Sequence, residues 1–202
     1  IEEVNEALAA LTSKVPNNIY VHYEDGAIRI SAESWSGGVA TANLGHRLGG
    51  SSPQTDNTIQ ALESTIFLVD NPEFKYWEFD VHEAMDGVLF VFHDDEIEFN
   101  GLMTQVKALS YEQIRESGKT MGIEIPTLAE VVDILKNRPE PTMIEIKNLM
   151  TDQARQTMIN TASERPDWKL MASLTRFQKS FPKQTRQHWH SEIKKAGTKF
   201  VR

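Results

Sequence analysis

The chain has 202 residues, 40% of them hydrophobic, enough to bury the core of one substantial domain. Its net charge of −8 and pI near 5.3 exclude a general affinity for nucleic acid or for an anionic membrane surface. There is no cysteine, which rules out disulfides, thiol catalysis and zinc–thiolate sites and leaves both oxidising and reducing compartments, exported or cytoplasmic, open.

No stretch approaches the ~18 apolar residues of a membrane span, so no transmembrane segment is expected. The chain begins at Ile1 rather than Met, which implies that a leader or other upstream residues were removed. Ile1, Val4, Leu8, Leu11 and Val15 recur at steps of three and four and predict an amphipathic helix ended by Pro16. Short alternating segments on either side of Glu24-Asp25-Gly26 predict a hairpin within Asn18 to Ile30, followed by a polar loop from Ser31 to Gly38. Residues 1–38 are read together as an extension packed on the main domain, 39–202.

Val39 to Leu44 reads as a short buried strand running into Gly45-His46-Arg47. A loop rich in Gly, Ser and Pro ends in Thr55-Asp56-Asn57-Thr58, any of which can cap the next helix; its buried stripe is Ile59, Leu62, Ile66 and Val69. Lys75 to Val81 is the next strand. Side chains alternate along a strand, so Glu78 and Asp80 share one face and Trp77, Phe79 and Val81 the other. Two carboxylates about 7 Å apart on one face can grip one cation between them. Strand, helix, strand is a β-α-β unit and argues for parallel strands.

Asp86-Gly87 marks a turn, and the apolar run Val88 to Phe92 predicts a strand ending at His93-Asp94. The segment Asp94 to Leu109 is read as a loop, either a flap over a substrate or packing on the rim. Helices follow at Ser110 to Ser117 and from Thr127, whose Thr-x-x-Glu pattern is a capping box, to Leu135. Thr142 to Lys147 is a strand with Glu145 and Lys147 on one face. Thr151 to Arg165 reads as a helix, Trp168 to Thr175 as a strand, His188 to Ala196 as a helix, and Lys199-Phe200-Val201 as the start of another strand.

In parallel α/β folds the carboxyl ends of the strands form one rim, where active sites assemble. His46, Arg47, Glu78, Asp80, His93, Glu145 and Lys147 are therefore expected around one cleft suited to phosphodiester hydrolysis. Glu78, Asp80 and Glu145 offer oxygen ligands, which suit one hard divalent cation, Mg²⁺ or Ca²⁺. Arg47 and Lys147 are candidates to hold phosphate. His46 and His93 are candidates to divide general base and acid roles. Each pattern alone also suits a solvated strand face or a surface histidine; the conjunction carries the reading. His82 shares the face of Asp80 and is read as a structural histidine or a support for the ligands. His188 and His190 do not face together on a helix and are not read as a metal pair.

At these residues the chain resembles the glycerophosphodiester phosphodiesterases. The pieces are Leu44-Gly45-His46-Arg47, Asp56-Asn57-Thr58, Trp77 to His82 followed by Asp86-Gly87, Val91 to Asp95, Ile125 to Val131, and Met143 to Lys147. The resemblance implies a TIM-type (β/α)₈ barrel. It places the metal ligands on Glu78, Asp80 and Glu145, the paired histidines on His46 and His93, and phosphate contacts on Arg47 and Lys147. It also implies cleavage of a small-molecule or lipid-headgroup diester to glycerol 3-phosphate and an alcohol. Three features depart from the pattern. The helix-opening triplet is Asp56-Asn57-Thr58 where that family has Glu-Asn-Thr, an acid shorter by one methylene. Leu48 stands where that family has glycine, and six candidate barrel strands stand where eight are required, so the barrel is expected to be incomplete at its carboxyl-terminal end. These departures leave open a non-catalytic module on the same barrel; a phosphodiesterase for lysophospholipids or sphingolipids is a further alternative.

Overall fold

The computed structural model describes residues 21–24, 27–30 and 43–201. The chain divides into two compact units, 1–43 and 44–202. In the first, β1 (Val21–Glu24) and β2 (Ala27–Ile30) pair antiparallel, Val21 opposite Ile30 and Glu24 opposite Ala27, as the hairpin expectation requires. The expected helix Ile1 to Val15, the loop Ser31 to Gly38 and most of the strand Val39 to Leu44 lie outside the described residues. Leu44 itself is in a turn.

The second unit begins with a 3₁₀ turn, His46–Gly49, and continues through α1 (Ile59–Thr65) into a 3₁₀ segment, Ile66–Asp70. Then come β3 (Trp77–Glu83), β4 (Leu89–Val91), β5 (Glu96–Phe99), β6 (Leu102–Gln105), α2 (Tyr111–Thr120) and α3 (Leu128–Leu135). The last part is β7 (Thr142–Asn148), α4 (Asp152–Ser163), β8 (Trp168–Met171), α5 (Leu174–Ser180), α6 (Arg186–Lys195) and β9 (Lys199–Val201). The helix starts follow their caps. Thr58, Thr151 and Ser173 each accept a backbone N–H at their helix start, and Ser110 and Thr127 form complete capping boxes with Gln113 and Glu130.

The main sheet is ordered β4-β3-β7-β8-β9. β3, β7, β8 and β9 run parallel with helices between them, the arrangement of a (β/α)₈-type barrel wall. Trp77, Phe79, Val81, Ile144, Ile146 and Leu170 form one apolar core with Leu128, Val131, Met158 and Ile159 of α3 and α4. This leaves Glu78, Asp80 and Glu145 on the opposite face of the sheet. A second core, Phe90, Phe92, Ile97, Val106, Ile114 and Ile125, joins β4, the β5–β6 hairpin and α2.

Three expectations are corrected. The strand ending at His93 is antiparallel to β3, with Val91 opposite Val81, because the connection from Ala84 to Val88 is far too short for a parallel crossover. The expected loop Asp94 to Leu109 contains the β5–β6 hairpin, turned at Asn100-Gly101, both in the left-handed region (φ 54° and 79°) that suits this pair. The strand from Trp168 stops at Met171, because Ser173 caps α5.

Candidate active site

The β3–β7 register creates the site. Asp80 stands opposite Glu145, with Glu78 one strand repeat earlier on the same face. One ligand oxygen from each of Glu78, Asp80 and Glu145 lies within 4.8 Å of the others. Immediately beyond, the register slips so that Val81 faces Ile146 but His82 faces Asn148, leaving Lys147 as the extra residue of a bulge. Its ammonium lies 3.0 Å from Asp80 Oδ1 and 3.5 Å from Glu145 Oε1.

The Arg47 and Leu48 backbone is left-handed (φ 51° and 58°), followed by Gly49 at 77°. Leu48 holds this costly conformation by being wholly buried in the main core, so the loop closes with leucine at this position. The turn presents the Arg47 N–H to Glu78 Oε2 at 2.9 Å and His46 Nε2 to the same oxygen at 3.6 Å. Gly45 permits the approach, since a Cβ there would overlap the Tyr76 carbonyl oxygen. The Arg47 guanidinium pairs with Asp56 at 2.6 Å.

Asn57 is a site residue that sequence reading treats only as a possible helix cap. Its amide donates to Asp80 Oδ2 at 2.8 Å and its oxygen accepts the Asp80 N–H at 3.1 Å. Its left-handed backbone (φ 62°) suits asparagine. The signal lay in Asp56-Asn57-Thr58, where each of the first two residues orients one member of the site and Thr58 caps α1.

β4 turns back toward Asp80, whose carbonyl accepts the Phe92 N–H at 3.0 Å, and so brings His93 to the level of the carboxylates. His93 is half-exposed and its Nδ1 lies 2.6 Å from Asp94 Oδ1. Arg47, Asp56, His93 and Asp94 line a cavity of about 220 Å³. Two larger cavities, about 560 and 500 Å³, lie among α5, α6 and β9 and between α3 and α4; Glu78, Asp80 and Glu145 line none of these three cavities.

The three acids are electrostatically unequal. Burial, and then the Asp80 charge, push Glu78 up to about 8. Burial works in the same direction on Asp80, but the Lys147 ammonium and the Asn57 amide outweigh it and hold that carboxyl below its usual range. Glu145 is raised by burial against the pull of Lys147. His46 is lowered by burial and by Arg47. Glu78 Oε1 is buried without a hydrogen-bond partner. An oxygen-only triad with one orphaned buried oxygen and a proton held against water's preference fits a hard divalent cation, which would satisfy that oxygen and favour the charged carboxylate.

Residues 46–187 match the Glycerophosphoryl diester phosphodiesterase family. The chain belongs to this family. Among solved structures, a glycerophosphodiester phosphodiesterase from Agrobacterium tumefaciens shares 23% identity at a TM-score of 0.50, covering 67% of this chain and 59% of that one. The glycerophosphoryl diester phosphodiesterase domain of a Mycobacterium tuberculosis protein shares 10% identity at a TM-score of 0.52, covering 78% of this chain and 57% of that one. These likenesses show the fold, and this chain spans less than two thirds of either length. No curated protein matches the chain.

Proposed function

We propose that this protein hydrolyses glycerophosphodiesters to glycerol 3-phosphate and an alcohol, using one divalent cation, Mg²⁺ or Ca²⁺, held by Glu78, Asp80 and Glu145. The observation that carries the reading is the convergence of these three acids, with a ligand oxygen of each inside 4.8 Å, beside a cavity shared by Arg47 and His93. When bound, the cation supplies charge neutralisation at the phosphoryl oxygens and acidifies the attacking hydroxyl. Arg47 clamps a phosphoryl oxygen with its planar fork, while Asp56 fixes the guanidinium. Lys147, already among the acids, adds a point charge to the phosphate. His46, whose lowered pKa keeps it neutral at pH 7, takes the nucleophile's proton as general base. The Nδ1–H of His93 donates to Asp94, which orients the ring and leaves Nε2 as the atom that protonates the departing alcohol.

The test is release of glycerol 3-phosphate from a glycerophosphodiester, with and without EDTA. Metal-dependent release that falls at least about a thousandfold in Glu78→Ala supports the proposal. Stabilisation by Ca²⁺ or Mg²⁺ with no turnover by the wild type would identify a non-catalytic module instead. Turnover of intact lysolipid alone would move the substrate to the lipid class.

A further inference from the structure

A fourth, smaller cavity, about 50 Å³, lies beyond the carboxylates, between the root of the β5–β6 hairpin and the start of α5. His82 lines it. This ring is fully buried, stacks on Phe90 at 5.6 Å, and has no hydrogen-bond partner at either nitrogen. The His93 backbone lies against the ring. An imidazole carries at least one N–H, and neither nitrogen of this ring has an acceptor among the described residues. Asn148 stands opposite His82 across the bulge and lines the same space.

The charges around it are unbalanced. The Asp95 carboxylate is matched by the Arg176 fork, with contacts of 2.5 and 2.8 Å, and Arg176 also donates to the Lys147 carbonyl at 3.2 Å. Lys107 and Lys179 line the cavity too, and neither has an ion-pair partner among the described residues. Two uncompensated ammonium groups and an unsatisfied imidazole favour an anion.

Size and position narrow the class further. At roughly 10–15 Å³ per water, the space holds a few waters or one oxyanion group, not an acyl chain. A quaternary ammonium would face two lysines. On β3 the inward face runs Glu78, Asp80, His82, so the cavity lies about one strand repeat, ~7 Å, beyond Asp80. That is the reach of a short substituent on a phosphodiester held at the carboxylates. We propose that this cavity is a subsite for an oxyanion, specifically a carboxylate, carried by the alcohol half of the diester. The assignment rests on the reading of the carboxylate centre as a phosphodiesterase site.

Glycerophosphoserine and glycerophosphoethanolamine differ only by a carboxylate and so isolate its contribution. The wild type is expected to favour the serine diester in kcat/KM by at least about tenfold, the size of one charge-assisted hydrogen bond. The preference is expected to fall toward one in Lys107→Met/Lys179→Met and to reverse in Lys107→Glu/Lys179→Glu; both lysines are exposed, so both variants are expected to fold. Equal kcat/KM for the two diesters, or a serine preference unchanged in both double variants, overturns the subsite. If neither diester is cleaved, calorimetric titration of both in the presence of Ca²⁺ makes the comparison in binding alone, as the ratio of the two Kd values. Failure of the hydrolase reading is thereby separated from failure of the subsite. Titration with inorganic phosphate completes the test: phosphate binding that depends on the two lysines, with no preference between the diesters, identifies a free-oxyanion site and overturns the assignment to substrate.

Discussion

Replacing Glu78 by Gln should stabilise the metal-free protein, although Glu78 is at the centre of the site. In the folded chain, burial and the neighbouring Asp80 hold this carboxyl at about 8, against 4.5 when exposed. Between those values the folded state keeps a proton that the unfolded chain has released, so stability falls as pH rises through the window. At pH 7, two and a half pH units above the unfolded value, the cost is about 3 kcal/mol at 1.36 kcal/mol per unit. Gln does not titrate, and its carbonyl can still accept the Arg47 N–H that now meets Oε2 at 2.9 Å. In EDTA, Glu78→Gln is therefore expected to gain about 3 kcal/mol at pH 7, roughly 6–12 °C in Tm for a chain of this size. It should gain almost nothing at pH 4 and most above pH 8. Saturating Ca²⁺ or Mg²⁺ should raise the wild type more than the variant, because only the wild type keeps three charged ligands. Thermal melts at pH 4, 7 and 8.5, with and without metal, decide the matter. A variant no more stable than wild type at pH 7 in EDTA, or equally stabilised at pH 4, would refute the electrostatic account.

Lys147→Met strands the buried Asp80 charge and should cost about 3–5 kcal/mol without metal, the loss shrinking on addition of Ca²⁺ as the ion takes over the ammonium's electrostatic role; denaturant titrations in EDTA and in Ca²⁺ measure it. Asn57→Leu removes both contacts to Asp80 and forces a branched residue to φ 62°, so a loss of about 2–4 kcal/mol and weaker metal binding are expected by melting and calorimetry. Gly45→Ala pushes the His46–Arg47 turn off the Tyr76 carbonyl and away from Glu78, and glycerol 3-phosphate release should fall at least about a hundredfold with little change in fold by circular dichroism.

Much of the candidate site is legible because it is local. The two-residue period of a strand puts Glu78 with Asp80 and Glu145 with Lys147 whatever the rest of the chain does. Capping chemistry is equally local, and Thr127 and Glu130 close the box that their spacing predicts. The register that brings Asp80 opposite Glu145 is set across 65 residues by the packing of Phe79, Val81, Ile144 and Ile146, and no window of sequence contains it. Asn57 shows the same limit. Its capping chemistry is visible, whereas its bidentate hold on Asp80 exists only once α1 and β3 are side by side. The β5–β6 hairpin is a different case. Alternation through Glu96 to Phe99 and the Asn100-Gly101 pair carry a strong turn signal, which a loop reading of Asp94 to Leu109 passes over.

The reversal of β4 changes how the two histidines relate to the acids. His46 reaches Glu78 from the turn before α1, and that turn is fixed by Leu48 in the main core. His93 reaches the level of Asp80 from the opposite side, on a strand whose Phe90 and Phe92 belong to the second core. The acids are thus held by the parallel sheet, while the residue proposed to protonate the leaving alcohol is held by β4, the hairpin and α2. Across the subsite, the Asp95–Arg176 pair ties that second core to α5, and Arg176 in turn holds the Lys147 carbonyl. A substitution confined to the second core, such as Ile114→Ala, therefore acts on the placement of His93 without touching a metal ligand. The proposed proton donor and the proposed metal ligands are separable in this fold because two different cores support them.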